Sequence, residues 1–424
     1  MRRLYTALLY LALPLVLLFL LVRSLRNPGY RARWSERFGR FAGPPRPGGI
    51  VVHAASLGEV NAASALIDTL IRQYPDAPVT VTTFTPTGSD RVGDVFGAAV
   101  FHVYAPLDLP GAVRRFLDRV RPRLLVIMET ELWPNLYHHA AAAGIPILIA
   151  NARISERSFG RYRRWRALTA EALGQAARIA AQSAGDADRL RALGAPEERL
   201  TVTGNLKFDV SLPPGLAEEG EAIRVAWGAQ RPVLVAGSTH EREEAVLLAA
   251  FRGVLAAVPD ALLVLVPRHP ERFARAAQAV RAAGLNVVLR SAGTICPATA
   301  QCFVVDAMGE LLRYYAVGDV AFVGGSLEPI GGHNVLEPAA LGRPVLVGPH
   351  TFNFSDITAQ LIDAGAALRV ADGAALEATL LELFGDADQR DRMGAAARDL
   401  VASGQGALTR TLEEIGRLLT AVTG

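Results

Sequence analysis

Short apolar runs, each followed by a polar or glycine-rich turn and then a helical stretch, recur along most of this chain. That alternation constrains its fold more than any other feature. The strand candidates are residues 49–53, 79–83, 124–128, 146–150 and 179–181, and then 232–236, 262–266, 286–289, 303–305, 320–323 and 344–347. Helical stretches such as 62–74 and 112–120 lie between them. Strand–helix alternation requires a parallel sheet with helices on both faces. The 424 residues are too many for one ordinary domain. The expected fold class is therefore α/β, with two Rossmann-like doubly wound domains, 36–209 and 231–424, facing a cleft. Residues 210–230 carry Pro213-Pro214-Gly215 and a run of charges, and read as a linker between them. In such sheets ligands sit outside the C-terminal strand ends.

Residues 1–25 stand apart. Leu4 to Val22 is nearly all apolar, just long enough to span a bilayer. It ends in Val22-Arg23-Ser24-Leu25-Arg26, which is a poor signal-peptide cleavage site. Arg2 and Arg3 precede it, and the heavier flank of Arg23, Arg26, Arg31, Arg33 and Arg37 follows. An uncleaved N-terminal membrane anchor is expected, with the globular part on the cytoplasmic side. Pro14 and the marginal length leave insertion into one leaflet open beside a full crossing.

The strand ends carry the polar groups. Asp319-Val320-Ala321-Phe322-Val323 runs into Gly324-Gly325, and Gly331-Gly332-His333-Asn334-Val335-Leu336-Glu337 leads into a short helix. Glycines let a backbone approach a ligand, free N–H groups at a helix start attract phosphate, and a carboxylate one turn in can accept from a ribose. Arg268, in Pro267-Arg268-His269-Pro270-Glu271-Arg272, is placed for a phosphate or a base, and Asp306-Ala307-Met308-Gly309-Glu310 starts a further helix. With Gly237-Ser238-Thr239-His240-Glu241 these segments form one rim for a nucleotide. In the first half, Glu59 follows Ala54-Ala55-Ser56-Leu57-Gly58. It is either a general base aimed into the cleft or a carboxylate favoured in a first helical turn. Thr85-Pro86-Thr87-Gly88-Ser89 binds an anion or caps a helix. Glu129 and Glu131 leave a buried strand together, which is hard to explain as core because unpaired buried charge is costly. Lys207 is either a surface lysine or a cation at the cleft. A further mixture of arginine and aromatics, Arg161-Tyr162-Arg163-Arg164-Trp165-Arg166, suits a membrane interface or a solvated helix face.

The net charge of +3 gives no reason to expect a nucleic-acid partner. Two cysteines, Cys296 and Cys302, fit a reducing compartment. No DxD pattern or ligand spacing for a metal occurs at the strand ends. A metal-independent site without a cofactor is expected, with arginine, histidine and a helix start stabilising a leaving group.

The chain closely resembles bacterial 3-deoxy-D-manno-octulosonic acid (Kdo) transferases. The resemblance runs from Leu4-Tyr5-Thr6-Ala7-Leu8-Leu9-Tyr10 to near the C-terminus. It is most specific at residues 81–89, 128–135, 267–273 and 348–354. It implies the GT-B glycosyltransferase architecture, CMP-Kdo as donor, the lipid A precursor lipid IVA as acceptor, an inner-membrane location and no metal. It implies that Glu59 is the catalytic base and that Glu129 and Lys207 support the transition state. It also implies that Pro267, Arg268, Met308, Gly309, Glu310, Asn334, Val335, Leu336 and Glu337 bind CMP. Two rival readings are another GT-B nucleotide-sugar transferase or epimerase, and a membrane-tethered two-lobed binding protein.

Overall fold

The computed structural model describes residues 1–293 and 295–423, which divide into two compact units. In the first, β1 (Ile50–His53), β2 (Val79–Thr83), β3 (Phe101–Tyr104), β4 (Leu124–Met128), β5 (Ile147–Ala152), β6 (Arg178–Ala181) and β7 (Leu200–Val202) form one sheet. Their order is β3-β2-β1-β4-β5-β6-β7, and every pairing is parallel. The second unit repeats the plan with β8 (Val233–Thr239), β9 (Leu262–Pro267), β10 (Val287–Leu289), β11 (Cys302–Val304), β12 (Val320–Val323), β13 (Val345–Val347) and β14 (Ala367–Arg369). Their order is β10-β11-β9-β8-β12-β13-β14, again all parallel.

Central strands read as unbroken apolar runs because helices cover both faces. Side chains alternate across the first sheet. Ile50, Val52, Leu124 and Val126 face one core with Val60, Leu66 and Leu70, while Val51, Leu125 and Ile127 face the other with Phe116 and Tyr137. The strand order reverses between β1 and β4, and between β8 and β12. Chains diverging at such a point leave a crevice at the C-terminal strand ends.

The units do not divide where the sequence pattern suggested. Residues 210–230 are not a plain connection. They contain the helix Leu216–Trp227, whose Leu216, Gly220 and Trp227 are buried within the second unit. A Cβ on Gly220 would come within 2.7 Å of Ala316 Cβ, and Trp227 stacks on Tyr314 with centroids 6.1 Å apart. At the other end, residues 405–424 group with the first unit, not with 231–404. Ala407, Ile415 and Leu419 of the helix Ala407–Thr423 enter the core that holds Val60 and Leu66. Both carboxylate oxygens of Asp209 accept from that helix's start, from Gly406 N and Leu408 N at 2.6 Å each. Chain order gave no signal for this return.

Among the described residues one helix, Arg2–Arg26, is long and apolar enough to cross a membrane. It lies against the first unit along its whole length. Arg2, Tyr5, Thr6, Leu9, Leu13, Val16, Leu20 and Ser24 recur at helical spacing and are covered to different degrees. Leu9, Leu13 and Val16 pack on Leu107, Leu109 and Ala112, and Arg2 Nη1 and Thr6 Oγ1 donate to Asn135 Oδ1 at 3.1 and 3.0 Å. The opposite face, with Leu4, Leu8, Leu11, Leu15, Leu18, Phe19 and Val22, is exposed and apolar.

Asp209→Ala should loosen the Ala407–Thr423 helix by about 1–3 kcal/mol, the value of a charged cap on backbone donors. Amide hydrogen exchange should then quicken in 407–423 with 231–404 unchanged. Equal exchange in the variant and the wild type would remove Asp209 from this role.

Candidate active site

Ser56 caps the helix Leu57–Gln73, and Glu59 sits at its third position. The spacing is that of a capping box. Glu59 Oε2 accepts from Ala55 N at 2.7 Å and Oε1 from Ser56 Oγ at 3.0 Å. The residue is only 8% exposed. Glu59 thus serves its own helix start and lies just past the C-terminal end of β1. Burial pushes its carboxyl up to about 8, and the charges of Glu131 and then Glu129 add to this. The hydrogen bonds from Ala55 and Ser56 act the other way. Ionising it costs on the order of 5 kcal/mol more than ionising a free carboxyl.

Glu129 and Glu131 follow β4, the neighbour of β1. Glu129 has φ of 55°, a left-handed conformation that is rare for a residue with a side chain. Its N–H is held by Ala150 O at 2.8 Å. Strain of this kind clusters at functional sites. Thr130 Oγ1 donates to Arg153 O at 2.6 Å, Tyr162 to Thr130 O at 3.1 Å, and Tyr137 to Glu131 O at 3.1 Å, so the turn is fastened on three sides. Glu131 is itself raised by burial and by Glu129, with Trp133 and Arg161 opposing. The structure therefore brings Glu59, Glu129 and Glu131 together. Lys207 lies half-buried on the turn after β7. That turn is tied to β5 by Leu206 N donating to Asn151 Oδ1 at 3.0 Å. Thr85 proves to be a cap, with its Oγ1 accepting from Gly88 N at 3.2 Å.

In the second unit Pro267 ends β9, and exposed Arg268 donates its N–H to Thr239 O at 3.0 Å. Glu337 enters the five-residue helix Leu336–Ala340 in its first turn, bonded to Asn334 Nδ2 at 3.1 Å. Burial raises the Glu337 carboxyl, while Asn334 and then Arg268 lower it. Val335 and Leu336 are buried. Met308 is exposed, Gly309 has φ of 82°, and the Glu310 carboxylate is held by Arg290 Nε at 2.8 Å. What that turn offers a ligand is chiefly backbone.

Two features escaped the sequence reading. Glu243, buried in the helix Glu241–Ala257, accepts from His240 N at 2.9 Å and from Gly325 N at 2.7 Å, and so pins the glycine loop. The spacing from His240 to Glu243 repeats that from Ser56 to Glu59 and could have revealed it. His240 Nε2 also meets His333 Nε2 at 2.8 Å, a pairing no local pattern shows. Burial, with His240, Arg268 and His269 adding to it, holds His333 down to about 4.

Two doubly wound units of this plan define the GT-B class of glycosyltransferases and related enzymes. The chain is similar to the crystal structure of a glycosyltransferase from Rickettsia africae (TM-score 0.52, 14% identity, 88% of this chain and 99% of that one). It is also similar to a UDP-GlcNAc 2-epimerase from Neisseria meningitidis (TM-score 0.55, 12% identity, 87% and 100%). At these identities the likeness is one of fold.

Residues 32–210 match the family model of the 3-deoxy-D-manno-octulosonic acid transferases. The transferase of that name from Haemophilus influenzae is 43% identical over 415 residues, covering 97% of each chain. The one from Bordetella pertussis is 41% identical over 98% of each. This chain belongs to the Kdo transferase family and is a glycosyltransferase.

Glu131→Gln removes the larger of the two charges that raise Glu59. The Glu59 carboxyl should then titrate below about 8, readable by carbon NMR of labelled glutamate. An unmoved titration would place Glu131 out of reach. A carboxyl raised in the fold keeps its proton there longer than in the unfolded chain, so its contribution is lost as pH rises from about 4.5 to 8. Glu59→Gln should flatten that part of the stability profile relative to wild type.

Proposed function

We propose that the chain transfers Kdo from CMP-Kdo to a glucosamine hydroxyl of lipid IVA, in lipopolysaccharide synthesis at the cytoplasmic face of the bacterial inner membrane. The observation that carries the chemistry is the buried Glu59 carboxyl, raised to about 8 and held in place by Ala55 and Ser56. A base whose strength lies near the working pH is effective at taking a hydroxyl proton. Glu59 removes the acceptor proton as the ketosidic bond to CMP breaks, and a single displacement inverts the anomeric centre. Glu129, set at the mouth of the same crevice by its left-handed backbone, stabilises the cationic character of the anomeric carbon. Lys207 meets the donor's own carboxylate.

The second unit holds the CMP half of the donor in this reading. Arg268 meets its phosphate, a monoester leaving group with less charge to neutralise than a diphosphate. Glu337, oriented by Asn334, accepts from the ribose. The backbone of Pro267, Met308, Gly309, Val335 and Leu336 shapes the base pocket, and Glu310 keeps its turn in place through Arg290. The named relatives support the sugar transferred, and the exposed apolar face of Arg2–Arg26 supports attachment to a membrane.

The test is transfer from CMP-Kdo to lipid IVA by detergent-solubilised protein with EDTA present, read by mass spectrometry. Wild type should add the mass of Kdo, and Glu59→Ala should fall roughly 100-fold or more. Arg268→Ala should raise the donor KM. The acceptor kcat/KM should climb with pH through about 8, and its rising limb should move to lower pH in Glu131→Gln. No product from folded wild type, or wild-type turnover by Glu59→Ala, would overturn the assignment. Wild-type turnover by Lys207→Ala would remove that residue alone.

A further inference from the structure

A cavity of about 310 Å³ opens beside the first turns of the helix Arg2–Arg26, at the edge of its exposed apolar face. Leu4, Tyr5 and Leu8 of that helix form one wall, Leu132 and Pro134 form the floor, and Trp165 and Leu168 stand opposite. Its size and apolar lining are those of a small-ligand site. Among the described residues no side chain fills it. We propose that this groove binds one acyl chain of the lipid acceptor.

Three observations carry the proposal, which rests on the acceptor being a lipid. The first is where the groove leads. Its floor continues the turn that carries Glu129 and Glu131. Arg161 and Tyr162, which also line it, face that turn, because Arg161 lowers the Glu131 carboxyl and Tyr162 donates to Thr130 O at 3.1 Å. A ligand whose sugar sits by the carboxylates therefore has its tail at the groove. The second is the seating of the helix. Its inner face packs on the unit from Arg2 to Ser24, so the helix runs along the unit's surface with its outer apolar face turned away from the unit. Leu4 and Leu8 belong both to that outer face and to the groove, so a lipid meeting the face has a path to the groove. The third is charge. Arg161 beside the groove, with Arg163 and Arg164 in the same helix, suits a lipid whose head group is anionic. A phosphate-bearing glycolipid satisfies all three. A membrane phospholipid satisfies the last two but has no reason to reach the carboxylates.

The experiment uses the full chain in micelles with a lipid IVA analogue brominated on one acyl chain. Trp165 fluorescence, isolated by subtracting Trp165→Phe, should be quenched on binding. It should recover when unbrominated acceptor is added, and not when equal unbrominated phosphatidylglycerol is added. Leu168→Trp, which fills the groove, should lower the preference for acylated over deacylated disaccharide about tenfold. Transfer that proceeds without quenching would overturn the groove assignment alone, and so would quenching relieved equally by phosphatidylglycerol. Absence of any transfer to the acylated acceptor by wild type would overturn the acceptor reading and this inference with it.

Discussion

The pairing of β1 with β4 is the constraint on which the chemistry of the first unit depends. These two strands run side by side in register, Ile50 opposite Leu124 through His53 opposite Ile127, and the chain leaves them in different directions. Whatever follows their ends must share one crevice. Here three carboxylates follow, and their mutual repulsion adds to the cost of burial. That arrangement persists because the fold supplies its offsets locally: an N–H and a hydroxyl for Glu59, and a triply fastened turn for Glu129 and Glu131. A group so placed holds its proton more tightly than an ordinary carboxylate and is a correspondingly stronger base once ionised.

The second unit repeats the device with a different outcome. Its first strand also runs into a helix whose third residue is a buried glutamate, Glu243, raised to about 7. This carboxylate is spent on backbone donors at His240 and Gly325, and burial is the chief cause of its shift. The same capping geometry thus gives a structural clamp under a glycine loop in one unit and a candidate base in the other. The difference is the company each carboxylate keeps, since two acids, Glu131 and Glu129, raise Glu59 against one backbone donor, whereas Glu243 has one acid, Glu328, against three.

Much of this was legible in the sequence. All eleven apolar runs 49–53, 79–83, 124–128, 146–150, 179–181, 232–236, 262–266, 286–289, 303–305, 320–323 and 344–347 overlap strands, because parallel strands covered on both faces must be continuously apolar. β3, β7 and β14 were not legible. β7 and β14 are three residues long with partly exposed side chains, and β3 holds a histidine that accepts a hydrogen bond from Thr83 or donates one to it. Edge strands of this kind carry little hydrophobic pattern. In the site, Arg268 and Glu337 stood out by position. The roles proposed for Glu59 and Lys207 came from family resemblance, since a glutamate in a first helical turn or a lysine on a short turn has an ordinary explanation, whereas Glu129 stood out with Glu131 as charge leaving a buried strand and took only its particular role from the resemblance. The contact of His240 with His333 joins residues far apart in the chain and could be seen only in three dimensions.

The return of the Ala407–Thr423 helix has a consequence for how the protein is made. The core around Val60 and Leu66 lacks Ala407, Ile415 and Leu419 until the whole second unit has been translated. On the ribosome the second unit can close as an uninterrupted stretch, while the core of the first stays incomplete. The unit that carries Glu59 is therefore completed only after the unit that carries Glu337, when Ala407–Thr423 returns to it.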